Sequence, residues 1–127
     1  MIIREFTLGD IAEIRKIHKA AGEPFELPIF TDPLLLVRKC LVDQDDRVKM
    51  AAFGRLHISA LLFVDGEFET PQRRLNLIRD LQQQMDQGAR QFGLDIATTQ
   101  AEGRFAERLE KDLGWTAGYG KMFYRGF

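Results

Sequence analysis

Ser59-Ala60-Leu61-Leu62-Phe63-Val64 is followed by the loop Asp65-Gly66-Glu67-Phe68-Glu69, the pair Thr70-Pro71, and a long amphipathic stretch that stops at Gly93 before Leu94-Asp95-Ile96-Ala97-Thr98-Thr99. The SALLFV run is continuous and apolar and has the length of a strand, the pattern of a central strand buried on both faces. Thr70 offers a capping hydroxyl, and Pro71 suits the first helical position, where an N–H would have no partner anyway. Ile78, Leu81, Met85, Ala89 and Phe92 then recur at spacings of three and four, the clearest helical stripe in the chain. Strand, long helix and strand make a crossover unit, so the SALLFV and LDIATT strands are expected to run parallel.

On the C-terminal side, Glu102 to Leu113 reads as a second amphipathic helix with Phe105, Ala106, Leu109 and Leu113 on one face and Gly114 after it. Trp115 to Phe127 is strand-like, interrupted by Gly118 and Gly120. Its end, Met122-Phe123-Tyr124-Arg125-Gly126-Phe127, reads either as a paired strand or as an edge that docks another subunit in a homodimer.

On the N-terminal side, Ile2 to Phe6 is a short first strand. Thr7 with Asp10 makes a variant capping box, and Ile11, Ile14, Ile17, His18 and Ala21 follow at helical spacing up to Gly22. Glu23 to Phe30, with Pro24 and Pro28, is a loop. Its apolar members Phe25, Leu27, Ile29 and Phe30 would shape an acceptor pocket, a dimer contact or plain core cover. Thr31-Asp32-Pro33 resembles a helix start, and Leu34 to Leu41 is expected as a short second helix. A hairpin is expected around Asp43 to Asp46, from Leu41-Val42 into a strand from Val48 to about Ile58, with Gly54 marking a bulge or close backbone approach.

The whole order is therefore α/β (α+β), one mixed sheet flanked by helices on both faces, in a single domain spanning residues 1–127. Lys and Arg number 18 and Asp and Glu 19, a net charge of -1, which supplies no electrostatic reason to expect nucleic acid or an anionic membrane as partner. The opening MIIREFTLGD does not read as a signal peptide, and no apolar run approaches membrane-spanning length. Cys40 is the lone cysteine, so no internal disulfide forms, and a cytoplasmic location is expected.

Several of these stretches resemble the GNAT superfamily of N-acetyltransferases. Ile2-Ile3-Arg4 through Thr7-x-x-Asp10 is similar to its usual first strand and helix start. Ala89-Arg90-Gln91-Phe92-Gly93-Leu94 is similar to the end of its central helix and the next strand. Ala106-x-x-Leu109 with Leu113-Gly114-Trp115 resembles its Ala-x-x-Leu-Tyr and Leu-Gly-Phe elements. The resemblance implies an acyl-CoA N-acyltransferase-like fold, acetyl-CoA as cosubstrate, and a small-molecule or protein amine as acceptor. It places the pantetheine arm along the backbone of Leu62, Phe63 and Val64. It places the pyrophosphate at a Gln/Arg-x-x-Gly-x-Gly/Ala loop, which here falls on Arg73, Arg74, Leu75, Asn76, Leu77 and Ile78.

Arg73 keeps the first place in that loop, while Asn76 and Ile78 occupy the two glycine places. In such a loop, free N–H groups at a helix start hold the anion. The Thr70-Pro71 cap starts the helix earlier, leaving the free N–H groups nearer Pro71 to Arg74. The general-acid tyrosine position is Glu110, with Tyr119 and Tyr124 as other hydroxyls and Glu67 and Glu69 as acidic residues near the amine entrance. Each has a plainer reading: Glu110 in a solvated charged run, the tyrosines as packing residues, the two glutamates as loop charges. Arg104, Arg108 and Lys111 alternate with Glu107, Glu110 and Asp112 as a salt-bridged solvent face. His18 is expected to pack, and two histidines without a paired carboxylate motif make no metal site. Two functions therefore stand: a divergent acetyl-CoA-dependent N-acetyltransferase, or a catalytically inactive binding or structural protein of the same fold, of a kind at home in phage or mobile elements.

Overall fold

The computed structural model describes residues 1–127 as an α+β protein with three α-helices and two sheets. Two compact units divide it, Met1–Leu56 with Tyr119–Phe127, and His57–Gly118.

In the first unit, β1 (Ile2–Glu5), β2 (Leu35–Val42) and β3 (Val48–Arg55) form an antiparallel sheet in the order β1-β2-β3. Ile2 faces Val42 and Arg4 faces Cys40 across the first pair, and Cys40 faces Ala51 across the second. A single 3-10 turn, Leu8–Asp10, leads into α1 (Ile11–Ala21). The Asp10 carboxylate accepts the Thr7 N–H at 2.8 Å, the reach-back expected of an acidic residue three positions after a cap. Gly22 ends α1 at φ 65°, and nothing lies within 4 Å of a Cβ built there, so only backbone conformation selects glycine.

The helix expected over Leu34 to Leu41 is instead β2, and Pro33 sits in a turn rather than at a helix start. Asp32 decides this locally: its Oδ1 accepts the Leu34 N–H at 2.9 Å and its carbonyl accepts the Leu35 N–H at 3.1 Å, which turns the chain into a strand. Arg38 and Arg55 brace the same turn, Arg38 Nη2 on the Asp32 carbonyl at 3.0 Å and Arg55 Nε on its carboxylate at 2.7 Å. From Lys39 to Val42, buried and more exposed positions alternate, and backbone pairing with strands on both sides outweighs the helical propensity of the leucines. The hairpin to β3 turns on Asp43, whose Oδ1 accepts the N–H groups of Asp45 and Arg47, each at 2.9 Å. Gly54 does mark a close approach: a Cβ there would lie 3.2 Å from the Val37 Cβ, beside the register shift between Leu35 and Val37.

Ile14 of α1 packs with Phe30, Cys40, Val42 and Val48, and beside them Phe6 stacks on Phe30 while Phe53 meets both rings edge-on, at centroid distances of 5.3 to 5.5 Å. Val42 is fully buried, which contributes roughly 1.5–3 kcal/mol for a side chain of its kind. Of the apolar loop, Phe30 and Leu27 serve this core, whereas Phe25 and Ile29 are exposed. His18 packs its ring edgewise on Phe25 and bonds the Phe25 carbonyl through Nε2 at 2.6 Å. The strand expected at the C-terminus does not form: Trp115 to Phe127 contains no strand, and Phe123 and Phe127 are exposed. The run Lys121 to Arg125 between Gly120 and Gly126 carries aromatic residues suited to a strand, but neither sheet includes it.

In the second unit, β4 (Ile58–Ser59) and β5 (Ala97–Thr98) pair in parallel, joined by α2 (Pro71–Gln91), as the crossover pattern requires. The strands thus pair in two separate sheets, not in one mixed sheet. SALLFV is not a central buried strand. Pairing ends at Ala60, and Leu61 and Phe63 are 79% and 89% exposed, because β5 is the only strand beside β4 and β5 itself is two residues long. Gly93 ends the α2 segment at φ 77°. The last helix, α3 (Gly103–Asp112), buries Leu109, with Leu113 buried just beyond it. Its end is tied to α2 by polar bonds: Arg79 Nη2 to the Asp112 carbonyl at 3.1 Å, Gln82 Nε2 to the Leu113 carbonyl at 3.0 Å, and Trp115 Nε1 to Gln82 Oε1 at 2.7 Å. No helix is long and apolar enough to cross a membrane.

Candidate functional site

The site lies wholly within the second unit, where the two parallel strands part. The Ala60 N–H donates to the Thr98 carbonyl at 2.7 Å, and the Thr99 hydroxyl donates to the Ala60 carbonyl at 3.0 Å. Beyond that point the chain from Leu61 to Val64 carries no ladder, and the space beside it opens between α2 and α3.

Two adjoining cavities fill the opening. The inner one, about 270 Å³, is bounded by Leu62, Leu81, Met85, Leu109, Leu113 and the Trp115 ring, with Ala60 and Thr99 at its floor. The outer one, about 690 Å³, is bounded by Val64, Leu75, the α2 start from Thr70 to Gln72, and the two cations Arg74 and Arg108. Leu62, Ile78 and Phe105 are walls of both. Neither lining includes a histidine, cysteine or carboxylate. The inner polar side chains are already committed, Trp115 to Gln82, Gln82 to the Leu113 carbonyl and Thr99 to the Ala60 carbonyl. An apolar inner end and a cationic mouth suit a ligand with an apolar body and an anionic head.

The helix start is largely spent. Pro71 has no N–H, the Thr70 hydroxyl accepts the Arg73 N–H at 3.2 Å, and the Thr70 carbonyl accepts the Arg74 N–H at 2.9 Å. Of the first-turn amides, the Gln72 N–H remains for an anion. Arg74 Nη1 donates to the carbonyls of Phe68 and Glu69 at 2.7 and 2.8 Å, which holds its guanidinium over the mouth.

The expected cofactor-binding residues separate accordingly. Leu62, Val64, Arg74 and Ile78 line the larger cavities. Phe63 and Leu77 line a shallower hollow of about 170 Å³ on the neighbouring surface. Arg73 is exposed, and its amide is taken by the cap. Asn76 faces solvent and accepts from the Gln72 and Arg79 side chains, so the first glycine place of the loop is a helical surface position.

None of the expected proton-moving residues lines either of these two cavities. Glu110 is exposed on α3, Glu67 is exposed with its N–H turned onto Asp65 Oδ1 at 2.9 Å, and Tyr119 belongs to the first unit and is 80% exposed. Arg108, assigned from sequence to a salt-bridged face, does pair with Asp112 at 2.9 Å and also edges the mouth. Its position three residues after Phe105 and one before Leu109 was the available signal, since that spacing sets it on the border of the apolar face. Elsewhere in the chain, no group of three or more His, Cys, Asp or Glu side chains could hold a metal ion. No family model, curated protein or solved structure matches the chain.

Proposed function

We propose that the second unit binds acetyl-CoA and that the chain is a divergent N-acetyltransferase of the GNAT superfamily, with an acyl-CoA N-acyltransferase-like fold. The observation that carries this reading is the parting of β4 and β5 after Ala60, above an apolar cavity whose mouth holds Arg74 and Arg108. Where parallel strands part, backbone N–H and C=O groups lose their ladder partners and are open to an amide-rich ligand arm. The two guanidinium groups supply the charge that a pyrophosphate needs, since Thr70 has taken much of the helix start.

Transfer would rest on positioning. The amine nitrogen attacks the thioester carbonyl carbon, a C–N bond forms and the C–S bond breaks. Coenzyme A leaves as a thiolate, and the amine's surplus proton passes to water, because neither large cavity is lined by a carboxylate or imidazole. That same lack favours a second reading, a protein that binds the thioester and does not transfer it.

Thermal unfolding with and without acetyl-CoA tests the binding step. Ligand at about 100 times its dissociation constant adds about 2.7 kcal/mol and raises Tm. An unchanged Tm at millimolar acetyl-CoA removes both readings. Acetylation of a panel of primary amines, followed by thiol release, then separates transferase from binder.

A further inference from the structure

The inner cavity is larger than an acetyl group requires. A cavity of roughly 150 Å³ lined by Leu, Ile and Phe side chains stays dry and takes up benzene, six carbons. At about 270 Å³ the inner cavity has space for about ten carbons in the same proportion. It is a cleft open on one side, where Leu61 and Leu81 are 79% and 57% exposed; its other walls are mostly aliphatic or aromatic, and the Thr99 hydroxyl and the Gln82 and Trp115 polar groups already have protein partners. A polar occupant would find few partners there. A flexible hydrocarbon would find Leu81, Met85, Leu109 and Leu113, of which Met85 adapts readily to chain shape.

We infer that this cavity holds the acyl chain of a medium-chain acyl thioester, of about eight to ten carbons, with the charged carrier at the Arg74–Arg108 mouth. The inference rests on the proposed coenzyme A site and names its acyl class. The two cavities share Leu62, Ile78 and Phe105 as walls, so one ligand can run from the cationic mouth to the apolar interior. The chain length follows from volume and the head group from charge, two independent properties of the same opening.

The test is a binding series by calorimetry on the full chain, using free coenzyme A and its acetyl, butyryl, octanoyl, decanoyl and palmitoyl thioesters. Each methylene buried raises affinity by up to about fourfold. Affinity is expected to climb from acetyl to octanoyl by at least about a hundredfold and to stop climbing near decanoyl. Met85→Phe, which fills part of the inner cavity, is expected to lower the octanoyl-to-acetyl affinity ratio by about tenfold, with a circular-dichroism melt checking that the variant folds. A flat series in which free coenzyme A, acetyl-CoA and octanoyl-CoA bind alike overturns the chain-length inference and leaves the coenzyme A reading standing. If no member of the series binds, both fall.

Discussion

Arg4 holds Asp10 through both ends of its guanidinium fork, Nη1 on Oδ2 at 2.9 Å and Nη2 on Oδ1 at 2.8 Å. Asp10 is 6% exposed, and its Oδ2 also accepts the Thr7 N–H at 2.8 Å and lies 3.8 Å from the Cys40 sulfur. One carboxylate thus joins β1, the turn into α1 and the centre of β2. A charge so placed is tolerable because its oxygens are met by cationic and amide donors.

Acid should therefore destabilise the first unit through Asp10. The Arg4 hydrogen bonds, opposed by burial and aided by the Thr7 N–H, lower its pKa from 3.8 to about 2. A carboxyl with a depressed folded pKa contributes stability that is complete above its unfolded pKa. That stability is lost as pH falls from about 4 through about 2. The expected loss is on the order of 2 kcal/mol, read from urea midpoints at about pH 6 and about pH 2.5. Asp32 and Asp43, lowered by the N–H groups of Leu34 and Arg47 first, act in the same direction. In Asp10→Asn the slope over this range should be shallower and the stability at neutral pH lower; an unchanged slope would assign acid unfolding to other groups.

Thr70→Ala should destabilise the second unit by about 1 kcal/mol, because the Arg73 N–H loses its acceptor at the helix start. The same substitution exposes that amide to ligand. Acetyl-CoA affinity should then hold or rise, measured by calorimetry, despite the lower Tm.

The two cations at the mouth should outweigh the one that the motif alignment places first. Arg74→Ala or Arg108→Ala is expected to weaken acetyl-CoA binding about tenfold, and Arg73→Ala by less than about twofold. Binding that drops with Arg73 alone would move the phosphate site off the cavity mouth.

Cys40 should resist thiol reagents in the native state. It is 0% exposed, and burial, then the Asp10 charge, raises its thiol pKa. Reaction with an aromatic disulfide should proceed no faster than global unfolding, and addition of urea above the midpoint should release the full thiol titre at once.

The parts that sequence alone settles are those governed by short-range chemistry. Thr70-Pro71 starts a helix because a hydroxyl and a ring with no N–H both suit orphan amides. Gly22 ends one at positive φ, and the apolar spacing of α2 and α3 follows the helical repeat. The parallel sense of β4 and β5 follows from the helix between them. The fate of Leu34 to Val42 was not decided at that range. The run of leucines satisfies helix and strand alike, and the Asp32 turn with two antiparallel neighbours selected the strand.

Tertiary structure likewise decided that SALLFV pairs only as far as Ala60, since a parallel strand persists only where a partner's ladder continues. The cavity exists because that ladder stops. Its cations are Arg74 and Arg108 because helix rotation, not order along the chain, determines which side chain meets the opening.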